Sequence, residues 1–306
     1  MRGAIIDLGT NTFNLLVFDI SIGYQIIVNQ KIAVKLGEGG IGNKQITPKA
    51  LQRAIDALII FNNICTENNV KSIRAFGTSA IRNANNKEEF LNKIKQNIGI
   101  IIEVIDGNRE AELIYKGVKL GVALNNTKSL IMDIGGGSTE FIIANNKGIF
   151  WKQSFEIGAA RLLEIIEPSN PITLEEIEKT NQYIQEALQP LIYECKNHEI
   201  TELIGSSGSF DTLAEVIGYR NNNPIDLTLT TDYTFDLNDF DEVGKLLVAS
   251  TFEERINTRG VVPIRAEMIV ISTILTQFII NKLGIIKLRL STYALKEGVL
   301  NEMLTA

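Results

Sequence analysis

The sequence predicts an α/β protein of two domains, and three observations carry that prediction. A chain of 306 residues has the length of about two ordinary domains. Short apolar runs alternate with amphipathic helical patterns, the mark of α/β layers. A block of strand, aspartate, glycine turn and strand occurs twice, at residues 3–20 and again at 129–144, which suggests two related domains. The first is placed near residues 1–121 and the second near 122–290, with a closing helix at about 291–306 packing back on the first.

The elements follow in order. Gly3 to Ile20 reads as an apolar strand ending at Asp7, a turn at Gly9 and a second strand. Pro48 to Asn68 sets Leu51, Ile55, Leu58, Ile59 and Ile64 at helical spacing behind Thr47 as N-cap, which predicts an amphipathic helix. Ser72 to Phe76 predicts a short strand entering Gly77-Thr-Ser-Ala-Ile-Arg82. Glu88 to Ile98 predicts a helix, Ile100 to Ile105 a buried strand, and Arg109 to Gly121 another helix. Ser129 to Ala144 repeats the opening block with Asp133 and Gly135-Gly136-Gly137. Phe150 to Ile157 predicts a strand, Ala159 to Ile166 a helix, and Leu174 to Cys195 one long helix. Glu202 to Ile204 predicts a strand entering Gly205-Ser206-Ser207-Gly208-Ser209, followed by a helix to Gly218 and a loop at Asn221 to Pro224. Asp239 to Thr251 and Arg265 to Leu283 read as helices, Ile286 to Leu290 as a last strand, and Ala294 to Met303 as the closing helix.

Scarce residues exclude whole mechanisms. The only histidine, His198, lies in a polar stretch that reads as an exposed helix end or loop, so a His-rich metal site is excluded and a His-activated nucleophile is disfavoured. Cys65 and Cys195 are far apart and lack zinc-site spacing. A hydrolase built on this chain needs a carboxylate base. The net charge of −6 argues against a broad nucleic-acid surface, so an anionic partner must be held locally. Asp7 interrupts the N-terminus before an apolar signal core can develop, and Ser272, Thr273, Thr276 and Gln277 interrupt the greasiest segment, Met268 to Ile280. A cytoplasmic protein without membrane or nucleic-acid partners is expected.

The repeated turns carry the chemistry. Gly9 and Gly135-Gly136-Gly137 remove Cβ atoms from the path of an approaching anion and offer N–H donors, while Thr10, Thr12, Ser138 and Thr139 add hydroxyls. The lysine and spacing of a P-loop are absent, and a strand rather than a helix follows, unlike a dinucleotide fingerprint. Two tight hairpin turns would show similar residues. Their recurrence behind a strand-terminal aspartate favours a pair of phosphate cradles. Asp7, Asp133 and Glu140 would repel bound phosphate, so a divalent cation, Mg²⁺ or a similar ion, is expected between them. The alternative is that Asp133 and Glu140 only bond turn amides.

Asp7-Leu-Gly-Thr-Asn11-Thr-Phe13, Gly77-Thr78-Ser79-Ala-Ile-Arg82, Gly107-Asn-Arg-Glu110-Ala, Asp133-Ile-Gly-Gly-Gly-Ser-Thr-Glu140, Gly205-Ser-Ser-Gly-Ser209 and Leu295-Lys-Glu-Gly-Val-Leu300 together resemble the exopolyphosphatase and guanosine pentaphosphate phosphatase family of the sugar kinase, Hsp70 and actin superfamily. The blocks run in the family's order from residue 3 to residue 303. The resemblance implies two RNase H-like (actin-like ATPase) domains facing an inter-domain cleft. It implies Glu110 as the catalytic base, an assignment the residues alone would not make, because an acid in a first helical turn ordinarily complements the helix dipole.

It also implies Asp133 and Glu140 as metal acids, and the two glycine turns with Asn11, Thr78, Ser79 and Gly205 to Ser209 as phosphate contacts. Arg82 is the first candidate for a phosphate fork, with Arg265 and Arg289 behind it. Two departures stand out: Tyr293 where relatives usually have glycine, and Glu267 where aspartate is usual. The chain stops before the histidine-aspartate-type domain of longer members, so only the two-domain core is expected. Relatives are commonly dimers, which implies a homodimer here. The implied reaction is metal-dependent hydrolysis at the end of inorganic polyphosphate. Guanosine pentaphosphate (pppGpp) is the alternative substrate, and a kinase-like ATPase or an alarmone-binding sensor are alternatives of other classes.

Overall fold

The structure, a computed structural model, describes residues 1–21 and 24–305; Ala306, at the end of the expected closing helix, lies outside them. The first sheet is built from β1 (Arg2–Leu8), β2 (Thr12–Asp19), β3 (Gln25–Ala33), β4 (Ser72–Gly77) and β5 (Ile102–Val104). Helices α1 (Pro48–Glu67), α2 (Ser79–Arg82), α3 (Lys87–Ile98) and α4 (Gly107–Gly121) accompany it. The second half comprises β6 (Ser129–Ile134), β7 (Thr139–Asn145), β8 (Gly148–Phe155), α5 (Ala159–Ile166), α6 (Leu174–Ala187), α7 (Gln189–His198), β9 (Glu202–Ser206) and α8 (Gly208–Arg220). It continues with β10 (Asp232–Phe235), α9 (Leu237–Ala249), α10 (Phe252–Asn257), a 3₁₀ turn at Pro263–Arg265, α11 (Met268–Leu283), β11 (Lys287–Ser291) and α12 (Leu295–Thr305).

The first sheet runs β3-β2-β1-β4-β5, and β8-β7-β6-β9-β11 repeats that order in the second, with β10 added at the edge. In both, the first three strands are antiparallel and the last two run parallel to the first. This is the RNase H-like arrangement the resemblance implies, present twice. The central strands are buried on both faces, so they read as near-continuous apolar runs. Ala4, Ile6 and Leu8 of β1 face an outer core shared with α1 and α3, while Ile5 faces an inner core; in β6, Leu130, Met132 and Ile134 face outward and Ile131 inward. The inner core holds α4 and α12, with α4 packed on β7, β8 and α12, and α12 also on β1. The two sheets therefore share one helical layer.

Three differences from the sequence reading have local causes. The single helix expected over Leu174 to Cys195 is two, because Pro190 begins a new helix where its ring and missing N–H would break the old one. Strands β3 and β10 go unread in the sequence because they are edges: β3 carries Gln25, Asn29, Gln30 and Lys31, and β10 has four residues. The apolar segment starting at Met268 is α11, buried nearly all round, with Thr276 donating to the Ser272 carbonyl at 2.8 Å. Among the described residues no helix is long and apolar enough to cross a membrane.

Thr47 caps α1 as expected, accepting from the Ala50 N–H. Both cysteines are buried and unbridged, and burial pushes the Cys65 thiol up to about 11 and the Cys195 thiol up to about 12. A raised pKa keeps the thiol protonated below that pH, so at pH 8 neither offers thiolate. The native protein is expected to react with no equivalents of a thiol-specific disulfide reagent on the minute scale, and with two after denaturation; rapid native labelling would contradict this burial.

Candidate active site

Strand alternation positions the acids. Asp7 lies on the face of β1 that carries Ile5, and Asp133 on the face of β6 that carries Ile131, so both point toward the inner layer. Across the hairpins Asp7 pairs in register with Asn14, and Asp133 with Glu140. Each turn closes alike: Gly9 N–H donates to the Thr12 carbonyl at 3.2 Å, and Gly135 N–H to the Ser138 carbonyl at 3.0 Å. The two turns meet across the cleft. A Cβ at Gly137 would lie 2.6 Å from Ser79 Oγ and 2.7 Å from Thr10 Oγ1. The missing side chain thus makes room for the opposite half of the protein.

Between the halves is a cavity of about 170 Å³. Its wall includes Asp7, Gly9, Thr10, Asn11, Thr12, Thr78, Ser79, Glu110, Asp133, Gly135, Gly136, Gly137, Ser138, Ser207, Gly208 and Ser209. Residues scattered over two hundred positions of sequence therefore share one wall. Ser207 sits at φ 72° and ψ 178°, a backbone that favours glycine, and its Oγ donates to the Ile134 carbonyl at 2.8 Å. Such strain costs about 1–3 kcal/mol and marks a position the surroundings enforce.

Five expected contacts are not on the wall. Thr139 is buried and donates to the Ile157 carbonyl at 3.1 Å. Gly205 lies within β9 against the Phe210 ring. Ser206 donates to Asp133 Oδ2 at 2.5 Å, so it holds the aspartate. Glu140 accepts from Ser138 Oγ at 2.8 Å and Ser154 Oγ at 2.6 Å, behind the turn. Arg82 donates to Glu110 Oε2 at 2.7 Å, and its Nη2, buried, has no hydrogen-bond partner. The expected phosphate fork is thus engaged by the carboxylate it flanks. Arg289 is also a correction: it is buried against Asp232 and Glu202, away from the cavity. His198 ends α7 beside Lys128. Tyr293 stands against Gly121, where the departure from glycine is accommodated at the end of α4.

The wall carries both signs of charge, with acids in excess. Asp7, Glu110, Asp133 and Asp211 face three cations, Lys31, Arg265 and Lys296. Burial pushes Asp7 up to about 6, opposed by the Asn14 hydrogen bond and Lys296 and reinforced by Asp133. Burial likewise pushes Asp133 up to about 6, opposed by Ser206. Glu110 is raised well above the usual carboxylate range by burial and by Glu140, against the pull of Arg82.

Buried, mutually repelling carboxylate oxygens are the donor chemistry of a hard divalent cation. Among the described residues no three His, Cys, Asp or Glu side chains form a ready-made metal cluster. Of the three acids expected to hold a metal, Asp7 and Asp133 reach the wall and Glu140 does not, which fits an ion of the Mg²⁺ kind, held by one or two carboxylates with water and substrate phosphate completing its shell.

Lys31, Asp211 and Lys296 escape the sequence reading. Lys31 reaches from β3 to Asp211 Oδ2 at 3.4 Å, and Arg265 approaches the same carboxylate at 3.7 Å. Lys31 lies on an unread edge strand, so no periodicity pointed to it. Lys296 stands in the Leu295 to Leu300 block, where a signal was present and its role was not drawn.

A model of the Ppx/GppA phosphatase family matches residues 16–306. The crystal structure of an exopolyphosphatase from Cytophaga hutchinsonii is 43% identical, with a TM-score of 0.97 over 100% of this chain and 98% of that one. The Aquifex aeolicus PPX-GPPA enzyme is 25% identical, with a TM-score of 0.81 over 99% of each chain. A guanosine-5'-triphosphate,3'-diphosphate pyrophosphatase of Photobacterium profundum is 27% identical over 303 residues, 99% of this chain. The chain spans 59% of the length of that relative.

Proposed function

The chain belongs to the Ppx/GppA phosphatase family, and we propose that it is an exopolyphosphatase, releasing orthophosphate from the end of inorganic polyphosphate with a divalent cation. The observation that carries this reading is the convergence of both glycine turns, Asp7, Asp133 and Glu110 on one cavity. The high similarity to the Cytophaga hutchinsonii exopolyphosphatase favours polyphosphate as substrate. The similarity to the Photobacterium profundum enzyme keeps pppGpp as the second substrate to test.

In this reading the turn amides and the hydroxyls of Thr10 and Thr12 hold the terminal phosphoryl group, which needs positioning and charge stabilisation more than covalent help, while the Ser138 hydroxyl is engaged by Glu140. Asp7 and Asp133 would hold the cation, which when bound offsets phosphate charge. Asn14, donating to Asp7 at 2.9 Å, and Ser206, donating to Asp133, fix the two carboxylates. Arg82 fixes Glu110. Glu110 takes a proton from water as its oxygen attacks phosphorus, the bridging P–O bond breaks, and a chain one phosphate shorter leaves with orthophosphate. A carboxylate of raised pKa is, once ionised, a stronger proton acceptor than an ordinary glutamate.

The test is orthophosphate release from long polyphosphate, pppGpp and ATP, each with Mg²⁺ and with EDTA. Release from polyphosphate is expected with Mg²⁺, and loss to background with EDTA that excess Mg²⁺ restores. Release confined to pppGpp would transfer the activity to that substrate, and release unaffected by EDTA would remove the cation from the reaction. Binding of pppGpp without any release would make the protein a sensor.

A further inference from the structure

Lys296 is a buried cation whose position is not explained by its own helix. It lies in the first turn of α12, the end where the helix dipole disfavours positive charge. It is 9% exposed, and burying an ammonium is costly unless its donors are matched. Among the described residues its one ion-pair partner is the adjacent Glu297, at 2.8 Å. Glu297 also accepts the Ala294 N–H at 2.9 Å, so it anchors the ammonium from the helix side without lining the cavity. Three ammonium donors meet one such partner, while Lys296 itself lines the cavity beside Asp7, Asp133 and Glu110. The other two cavity cations, Lys31 and Arg265, both engage Asp211.

The helix crossing that brings Lys296 there is unusually close. A Cβ at Gly117 would overlap the Ala294 carbonyl oxygen, and one at Gly298 would overlap the Leu113 carbonyl oxygen. Backbone therefore packs on backbone where α4 meets α12. Glu110 lies two turns before Gly117, and Lys296 two residues before Gly298, so one contact sets both side chains in the cavity.

We propose that Lys296 is a substrate-contacting residue, an ammonium presented by the closing helix to the non-bridging oxygens of a phosphoanhydride chain. The inference rests on the phosphohydrolase reading for its substrate class, and its test separates the two. Unlike the glycine turns, a lysine contributes a full charge on a wall where acids outnumber cations.

Affinity for inorganic tripolyphosphate is measured by calorimetry with Mg²⁺ in a Glu110→Gln background, which suppresses turnover. Lys296→Gln, which keeps a hydrogen-bonding side chain toward Glu297, is expected to raise Kd at least about tenfold, the scale of one lost charge-assisted hydrogen bond. Lys296→Arg is expected to stay within about threefold. A Lys296→Met/Glu297→Gln pair, which removes the charge without orphaning the acid, should match Lys296→Gln, and near-UV circular dichroism verifies folding. Unchanged affinity in a folded neutral variant, or equal losses with Gln and Arg, would overturn the proposal. Lys296-dependent tripolyphosphate binding in a protein that hydrolyses none of the substrates would retain the contact and reject the enzyme.

Discussion

Glu110→Gln is expected to lower the rate of orthophosphate release from polyphosphate by about 10²–10⁴-fold, the usual contribution of a positioned general base. Glutamine preserves the shape of the side chain and an acceptor for Arg82, so the fold and the cavity should persist. What disappears is the basic oxygen that takes the water's proton. The loss should fall mainly on kcat, because the turns and cavity cations that bind the chain remain. Some activity should survive from positioning alone. Steady-state kinetics with Mg²⁺ decides: a Glu110→Gln protein with undiminished kcat would remove Glu110 from the chemistry, and a loss confined to KM would make it a binding group.

The second large effect belongs to a residue outside the cavity. Gly298→Ala should destabilise the protein by about 1–3 kcal/mol, the range for overpacking, and reduce kcat/KM by about 100-fold. The added methyl would enter the Leu113 carbonyl oxygen, a main-chain atom that no rotamer change can move aside. Helices α4 and α12 must then separate, carrying Glu110 and Lys296 apart, and a displacement near 1 Å can cost about 10² in rate. Gly148→Ala is the control: nothing lies within 4 Å of its new Cβ and its backbone is ordinary, so stability should change by no more than about 0.5 kcal/mol. Urea unfolding followed with the activity assay reads both. A Gly298→Ala protein as stable and active as the control would show that the helices yield at no cost.

How much was legible depended on whether the signal was local. The repeated hairpins, the cap at Thr47 and most of the helices declare themselves through period, turn residues and caps, which act within a few positions. Edge strands β3 and β10 have a neighbour on one side only, β3 is at most half-buried and β10 has four residues, so no strong apolar run marks them or the Lys31 that β3 carries. Pro190 is a helix breaker inside Leu174 to Cys195, and a reading of one helix over that span passes over it.

Side-chain partners were the least legible. Arg82 reads equally well as a phosphate fork or as the partner of an acid, and only folding brings it 2.7 Å from Glu110, twenty-eight positions along the chain. Glu140 shows the same limit, since its register opposite Asp133 was readable while the hydroxyls of Ser138 and Ser154 that occupy it were not.

The sequence by itself determined two α/β halves of common design, each with an aspartate at the end of its first strand and a glycine turn beyond it. Those features are set by strand alternation and turn sterics, which are properties of neighbouring residues. Only the tertiary structure decided that the wall is acidic, that Glu140 and Arg82 stand behind it, and that a lysine from the last helix joins it. Charge balance and contact in a cavity sum over groups up to 289 positions apart, as Asp7 and Lys296 are, and no local pattern encodes that sum.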